Sequence, residues 1–132
     1  MNAEKSYEVI AELALVCSAN VEKWDRIIIK SKIYGKMCEI KIYSDDGGSC
    51  KALHLPAGKG LVLMSANKGM LFLRDNLLET TNARIWGLCF SLYPDGKFNI
   101  EYDYNKPEGY EDTDDVISVS EASDSLKGLK SS

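Results

Sequence analysis

Residues 84–105 read RIWGLCFSLYPDGKFNIEYDYN. In the first half Trp86, Leu88, Phe90 and Leu92 fall on one side of an alternation and Ile85, Cys89, Ser91 and Tyr93 on the other, the two-residue period of a strand. Pro94-Asp95-Gly96 follows: proline presets φ, aspartate bonds its own backbone, and glycine is free to take φ > 0, which together make a tight reversal. Phe98, Ile100, Tyr102 and Tyr104 then alternate with Lys97, Asn99, Glu101 and Asp103. The second strand therefore has an aromatic face and a hydrophilic face that turns acidic toward its end. The aromatic face, with Trp86, Phe90, Phe98 and Ile100 included, is expected to be the hairpin's contribution to the core.

Upstream of the hairpin, residues 67–80 predict a helix, because Met70, Leu73 and Leu77, with Leu71 and Leu78 beside them, form a wide apolar stripe while Arg74, Asp75 and Glu79 face outward. Ser65 or Asn67 is the expected cap. Leu61-Val62-Leu63-Met64 reads as buried without declaring its type. Pro56-Ala57-Gly58-Lys59-Gly60 lacks the G-x-x-x-x-G-K-[ST] spacing of a phosphate-binding loop and reads as a connector. Nearer the N-terminus, Tyr7, Ile10, Ala14 and Cys17 recur at helical steps over residues 3–18, with Leu13 beside them and Glu8 and Glu12 outward. Trp24 is expected at the junction into a β-branched strand over residues 26–34, and Gly35-Lys36 turns it into a second strand on which Cys38, Ile40 and Ile42 alternate with Glu39, Lys41 and Tyr43. Residues 44–49 carry a loop signal, and residues 50–55 are compatible with a short third strand. The order is α-β-β-(β)-α-β-β. Tight-turned strand pairs imply an antiparallel sheet of four to five strands, and two helices with one apolar stripe each cover one face of it, a two-layer α+β domain over residues 1–110. The other sheet face is expected to stay partly open to a partner.

With 132 residues and 45% hydrophobic content the chain can build one core. No apolar run approaches the roughly 20 residues of a membrane-spanning helix. Glu4, Glu8 and Glu12 stand where a secretory signal would be basic and then apolar, so a cytoplasmic location away from membranes is expected. Cys17, Cys38, Cys50 and Cys89 form no C-x-x-C pair and do not suggest a zinc site. The first, second and fourth sit in apolar surroundings where a buried, reduced thiol is expected. Cys50 follows Gly47-Gly48-Ser49 and is the candidate for exposure. Charge is unevenly spread: the net of −4 divides into +2 over residues 1–100, −8 over 101–124 and +2 over the last eight residues. An acidic block of that kind repels nucleic acid and anionic lipid and attracts basic partners. Residues 111–132 read as an acidic C-terminal segment, partly docked and frayed at its end.

Enzymatic chemistry needs a converging nucleophile, base and charge stabiliser, and the sequence offers no such set, so no catalytic residue, metal site or cofactor is expected. His54, the single histidine, lies between Leu53 and Leu55. Asp45-Asp46 and Asp112-x-Asp114-Asp115 do not follow the calcium-loop pattern. Glu101 and Asp103 share a strand face about 7 Å apart and read as surface charge. Arg26, Lys30 and Lys32 make a small basic row, which the acidic block opposes as a nucleic-acid site. Tyr102, Tyr104 and Tyr110 among Glu101, Asp103, Glu108, Glu111 and Asp112 combine aromatic area with charge, a composition suited to protein binding. With Asp114 and Asp115 they are the expected partner-binding residues. The competing expectation is a small-molecule-binding or catalytic domain with a pocket near His54.

The ordered pattern of an N-terminal helix, Trp24 entering a strand hairpin, a leucine-rich helix, Trp86, Tyr93-Pro94-Asp95-Gly96-Lys97-Phe98 and Tyr102-Asp103-Tyr104 resembles the YezG-like family of bacterial immunity proteins across roughly residues 5–110. The resemblance implies a non-enzymatic inhibitor that protects a bacterial cell from a polymorphic or contact-delivered toxin by binding the toxin domain. The acidic block adds the expectation of a basic partner surface, such as a nuclease active-site cleft.

Overall fold

The first helix starts where its backbone donors find a cap. Asn2 Oδ1 accepts from the Lys5 N–H at 2.7 Å, Glu4 sits in the first turn against the helix dipole, and α1 runs Ala3–Ser18. The computed structural model describes residues 1–107; α1 is followed by β1 (Arg26–Ile33), β2 (Cys38–Asp46), β3 (Ser49–Leu53), α2 (Gly60–Thr81), β4 (Gly87–Leu92) and β5 (Phe98–Asp103). All five strands join one antiparallel sheet in the order β3-β2-β1-β4-β5. Both helices pack on one face of it, giving the expected two-layer α+β architecture.

The core lies between these layers. Ile10, Leu13, Ala14 and Cys17 of α1 and Ala66, Met70 and Leu73 of α2 meet Ile27, Ile29 and Ile33 of β1 and Leu88, Phe90 and Leu92 of β4. Trp24, at the helix-to-strand junction, packs partly buried against it. The helices approach closely because Gly69 offers no side chain: a Cβ there would lie 2.7 Å from Val9 Cγ2 and 3.2 Å from the Ser6 carbonyl oxygen.

Several local expectations are corrected. The loop signal over residues 44–49 resolves into strand and turn: β2 continues to Asp46, Gly47 and Gly48 take φ of 60° and 89°, and β3 begins at Ser49. Adjacent glycines able to adopt positive φ make a two-residue turn, which needs no longer loop. Helix α2 begins at Gly60, ahead of the expected start at residue 67, and neither Ser65 nor Asn67 caps it; Lys59 is the N-cap, without a side-chain bond. Asn67 instead accepts the Cys38 N–H at 2.9 Å, tying α2 to the start of β2. Leu61 and Met64, read as buried, are 78% and 56% exposed, while Val62 and Leu63 between them pack partly buried against the core, so only one side of this first turn is covered. At the far end Asn82, at φ 59°, donates its N–H to the Leu78 carbonyl and closes the helix.

Arg74, read as outward-facing, turns inward. Its Nη1 donates to the Tyr34 and Gly35 carbonyls, the latter at 2.7 Å, and its side chain is only 13% exposed. The β1–β2 turn is thereby held against α2. Cys17 is buried, Cys38 and Cys89 are half-buried and Cys50 is exposed, all as free thiols.

Candidate functional site

The hairpin of β4 and β5 positions the sequence-predicted site, and a slip in its alternation decides which side chains face where. Gly87 is the register partner of Asp103, yet Trp86 also donates its N–H to the Asp103 carbonyl at 2.7 Å. Two residues thus oppose one, as in a β-bulge. Gly87 is needed at this crossing, since a Cβ would lie 2.6 Å from the Ser31 carbonyl oxygen. The extra residue reverses the expected order at the strand's start. Ile85, expected opposite the core side, is fully buried in the core cluster. Trp86, expected in the core, is buried at 8% exposure but outside that cluster, with the Arg84 guanidinium stacked 3.7 Å from its ring centroid and Lys106 Nζ at 5.8 Å.

Past the bulge the alternation holds. Phe90 and Phe98 stack at 5.2 Å beneath α1, and Tyr7 meets Phe98 at 5.4 Å. Phe98, expected in the core, stays 44% exposed because it starts an edge strand. Tyr102 turns to the same side, packs half-buried against the core, and has its phenol pushed up by burial and then by Tyr7. Glu101 and Asp103 point to the face away from the helices and are exposed. Asp103 Oδ1 accepts the Asn105 N–H at 2.9 Å and its side-chain amide at 3.0 Å, which turns the chain out of the strand. Tyr104, beyond the strand, is 52% exposed. Of the expected partner-binding residues, Glu101 and Asp103 are therefore presented together on the open face at one end of β5, whereas Tyr102 supports the core from behind and Tyr104, though exposed, lies near enough to Tyr102 to act on its phenol. Glu108, Tyr110, Glu111, Asp112, Asp114 and Asp115 lie outside the described residues, as does the expected boundary at residue 110.

The face away from the helices is a shallow concavity of about 620 Å³. Lys30, Lys32 and Lys41, with Glu39, line it on β1 and β2, and Glu101 and Asp103 on β5. Between the two groups, on β4, lie Gly87 and Cys89, with Tyr43 at the cationic side. Lys30 and Lys41 are direct register partners, a like-charge juxtaposition that costs stability in an antiparallel pair. Lys41 reaches Glu39 at 3.5 Å and Lys30 lies 5.7 Å from the Tyr43 ring centroid. Further along, Arg26 Nε donates to Asp45 Oδ2 at 3.0 Å, so Arg26 is neutralised while Lys30 and Lys32 remain available. Asp45 is accordingly occupied by Arg26 and by the Gly48 N–H at 3.1 Å. Cys89 sits among these charges, its thiol pushed up by burial and pulled partly back by Lys30. The basic row was legible in the sequence. The pairing of Lys30 with Lys41 was not, because register is a long-range property, and the Arg84 stack on Trp86 left only a two-residue spacing as its signal.

His54 is exposed and borders a separate concavity of about 400 Å³ with Ile40, Ile42, Tyr43, Leu53, Leu55 and Leu63. No carboxylate, serine or cysteine lines it. Among the described residues no three His, Cys, Asp or Glu side chains converge, and no described helix is long and apolar enough to cross a membrane. Compared with known proteins, the chain matches no protein-family model and no curated protein.

Proposed function

We propose that this chain is a bacterial immunity protein, a non-enzymatic cytoplasmic inhibitor that binds a cognate toxin domain through direct protein contact. The toxin surface it meets is basic, with a nuclease cleft as the expected case. The observation that carries the reading is the acidic end of β5. Glu101 and Asp103 stand exposed on the open sheet face, Tyr104 is half-exposed just past the strand's end, and residues 108–124 continue with seven carboxylates and no lysine or arginine. Aromatic area next to a dense negative charge favours association with a basic protein surface. The resemblance to YezG-like immunity proteins supports the same reading, since Trp86, the Tyr93-Pro94-Asp95-Gly96-Lys97-Phe98 turn and Tyr102-Asp103-Tyr104 build this hairpin.

The test is co-expression with the toxin domain encoded next to the gene. Wild-type chain is expected to restore growth and to bind the purified toxin domain. Reversing Asp112, Asp114 and Asp115 to lysine is expected to weaken binding at least ten-fold, as the loss of several steering and contact charges implies, without changing the unfolding midpoint. Full protection by that triple variant would move the interface to another surface, and absence of binding by wild type would end the reading.

A further inference from the structure

The charges lining the open sheet face are unequally divided between its two sides. Lys30 and Lys32 on β1 and Lys41 on β2 outnumber Glu39 of β2 and form a net cationic half, Glu101 and Asp103 on β5 form an anionic half, and the strand between them, β4, contributes the uncharged Gly87 and Cys89. Adjacent strands lie about 4.8 Å apart, which puts β1 and β5 about 10 Å apart on either side of β4. A face divided in this way is complementary to itself. Rotated about a two-fold axis that runs parallel to β4 just above the open face, the anionic half of one copy lies over the cationic half of the other, and the reverse contact forms at the same time. Closed two-fold interfaces of this isologous kind are the commonest way identical chains associate.

From this arrangement we propose that the open face of the sheet is a homodimer interface, with Lys30, Lys32 and Lys41 of one copy meeting Glu101 and Asp103 of the second. The register pair Lys30 and Lys41 then has a purpose: two adjacent ammonium groups that repel each other in the isolated chain share the incoming carboxylates. Arg26 is excluded from the contact set, since Asp45 holds it by a 3.0 Å hydrogen bond, whereas Lys41 stands 3.5 Å from Glu39 and can share its charge with an incoming carboxylate. The pairing is independent of the immunity reading. Because both uses draw on Glu101 and Asp103, a toxin docking there would displace the second copy.

Sedimentation equilibrium of the full chain tests the proposal. Wild type is expected to dimerise at high micromolar concentration, with the dissociation constant rising about ten-fold or more as ionic strength goes from about 0.1 M to about 1 M and the screening length falls from about 10 Å to about 3 Å. Lys30→Glu with Lys41→Glu, and separately Glu101→Lys with Asp103→Lys, are each expected to be monomeric, and an equimolar mixture of the two is expected to regain the dimer. A wild-type chain that stays monomeric at high concentration overturns the proposal and leaves the face to a different protein. A dimer that survives both reversals, or a mixture of folded variants that fails to pair, overturns it as well. Should either variant lose its circular-dichroism spectrum, the salt dependence of the wild-type dimer decides: insensitivity to salt rejects the interface.

Discussion

Arg74 shows how a single side chain can reverse the role its residue type suggests. On an amphipathic helix a guanidinium belongs outside, but here its Nη1 reaches two turn carbonyls, at Tyr34 and Gly35. Hydrogen bonds from a charged donor contribute about 1.5–3 kcal/mol, so Arg74→Ala is expected to lower stability by about 2 kcal/mol in urea unfolding. Arg74→Lys should recover only part of that, because an ammonium at the end of the stem has no second nitrogen to hold Asp75 Oδ1 as Arg74 Nε does at 2.9 Å. Cys38 sets a second expectation. Burial pushes its thiol up to about 11 from the ordinary 9.0, against the smaller opposing pull of Ser31 and Arg74. The folded state thus prefers the neutral thiol. That contribution is complete below pH 9 and disappears as pH rises through about 11, amounting to at most about 3 kcal/mol. Unfolding midpoints measured from pH 8 to 11 should fall less steeply for Cys38→Ala than for wild type. Cys17, Cys89 and Tyr102 shift in the same direction, so only the slope lost in the variant belongs to Cys38.

Between elements, the contact of α1 with α2 rests on the missing side chain at Gly69. Alanine there would gain about 1 kcal/mol of helix propensity, but its Cβ would meet Val9 Cγ2 at 2.7 Å and the Ser6 carbonyl oxygen at 3.2 Å. Overpacking of this kind costs about 1–3 kcal/mol. The Val9 methyl can rotate away and the Ser6 backbone cannot, so the steric effect is expected to win and Gly69→Ala to destabilise by about 1 kcal/mol in chemical unfolding. Adding Val9→Ala should relieve the side-chain part of the clash, visible as a positive coupling in the double-mutant cycle. The β4–β5 hairpin makes a related point. Its alternation was legible from Leu88 onward, but the bulge at Trp86 and Gly87 exchanges the faces of Ile85 and Trp86. A two-residue period cannot register one extra residue, which shows only in the Trp86 N–H bond to the Asp103 carbonyl of the neighbouring strand.

At the scale of the whole molecule, charge is segregated twice. Along the chain, residues 1–100 are net positive and residues 101–124 carry −8. Across the open sheet face, lysines on β1 and β2 oppose carboxylates on β5. If the acidic end of β5 and its continuation recruit a basic toxin domain, the association rate should fall steeply with salt while the dissociation rate changes little, the behaviour of steered encounter. Stopped-flow mixing at several ionic strengths checks this, and a salt-independent association rate would refute the steering.

The local pattern of residues was sufficient for the element types, their order and the two-layer architecture, because strand and helix periods and turn chemistry are short-range properties written into neighbouring residues. It also placed Glu101 and Asp103 on one strand face and Tyr102 on the other. Only the tertiary structure decided that Arg74 faces inward, that α2 begins at Gly60 and that Lys30 sits directly opposite Lys41. Each of these depends on which distant segment lies alongside, through the carbonyls of a turn, the reach of a sheet or the register of two strands. Residues far apart in the chain set those contacts, and no local period records them.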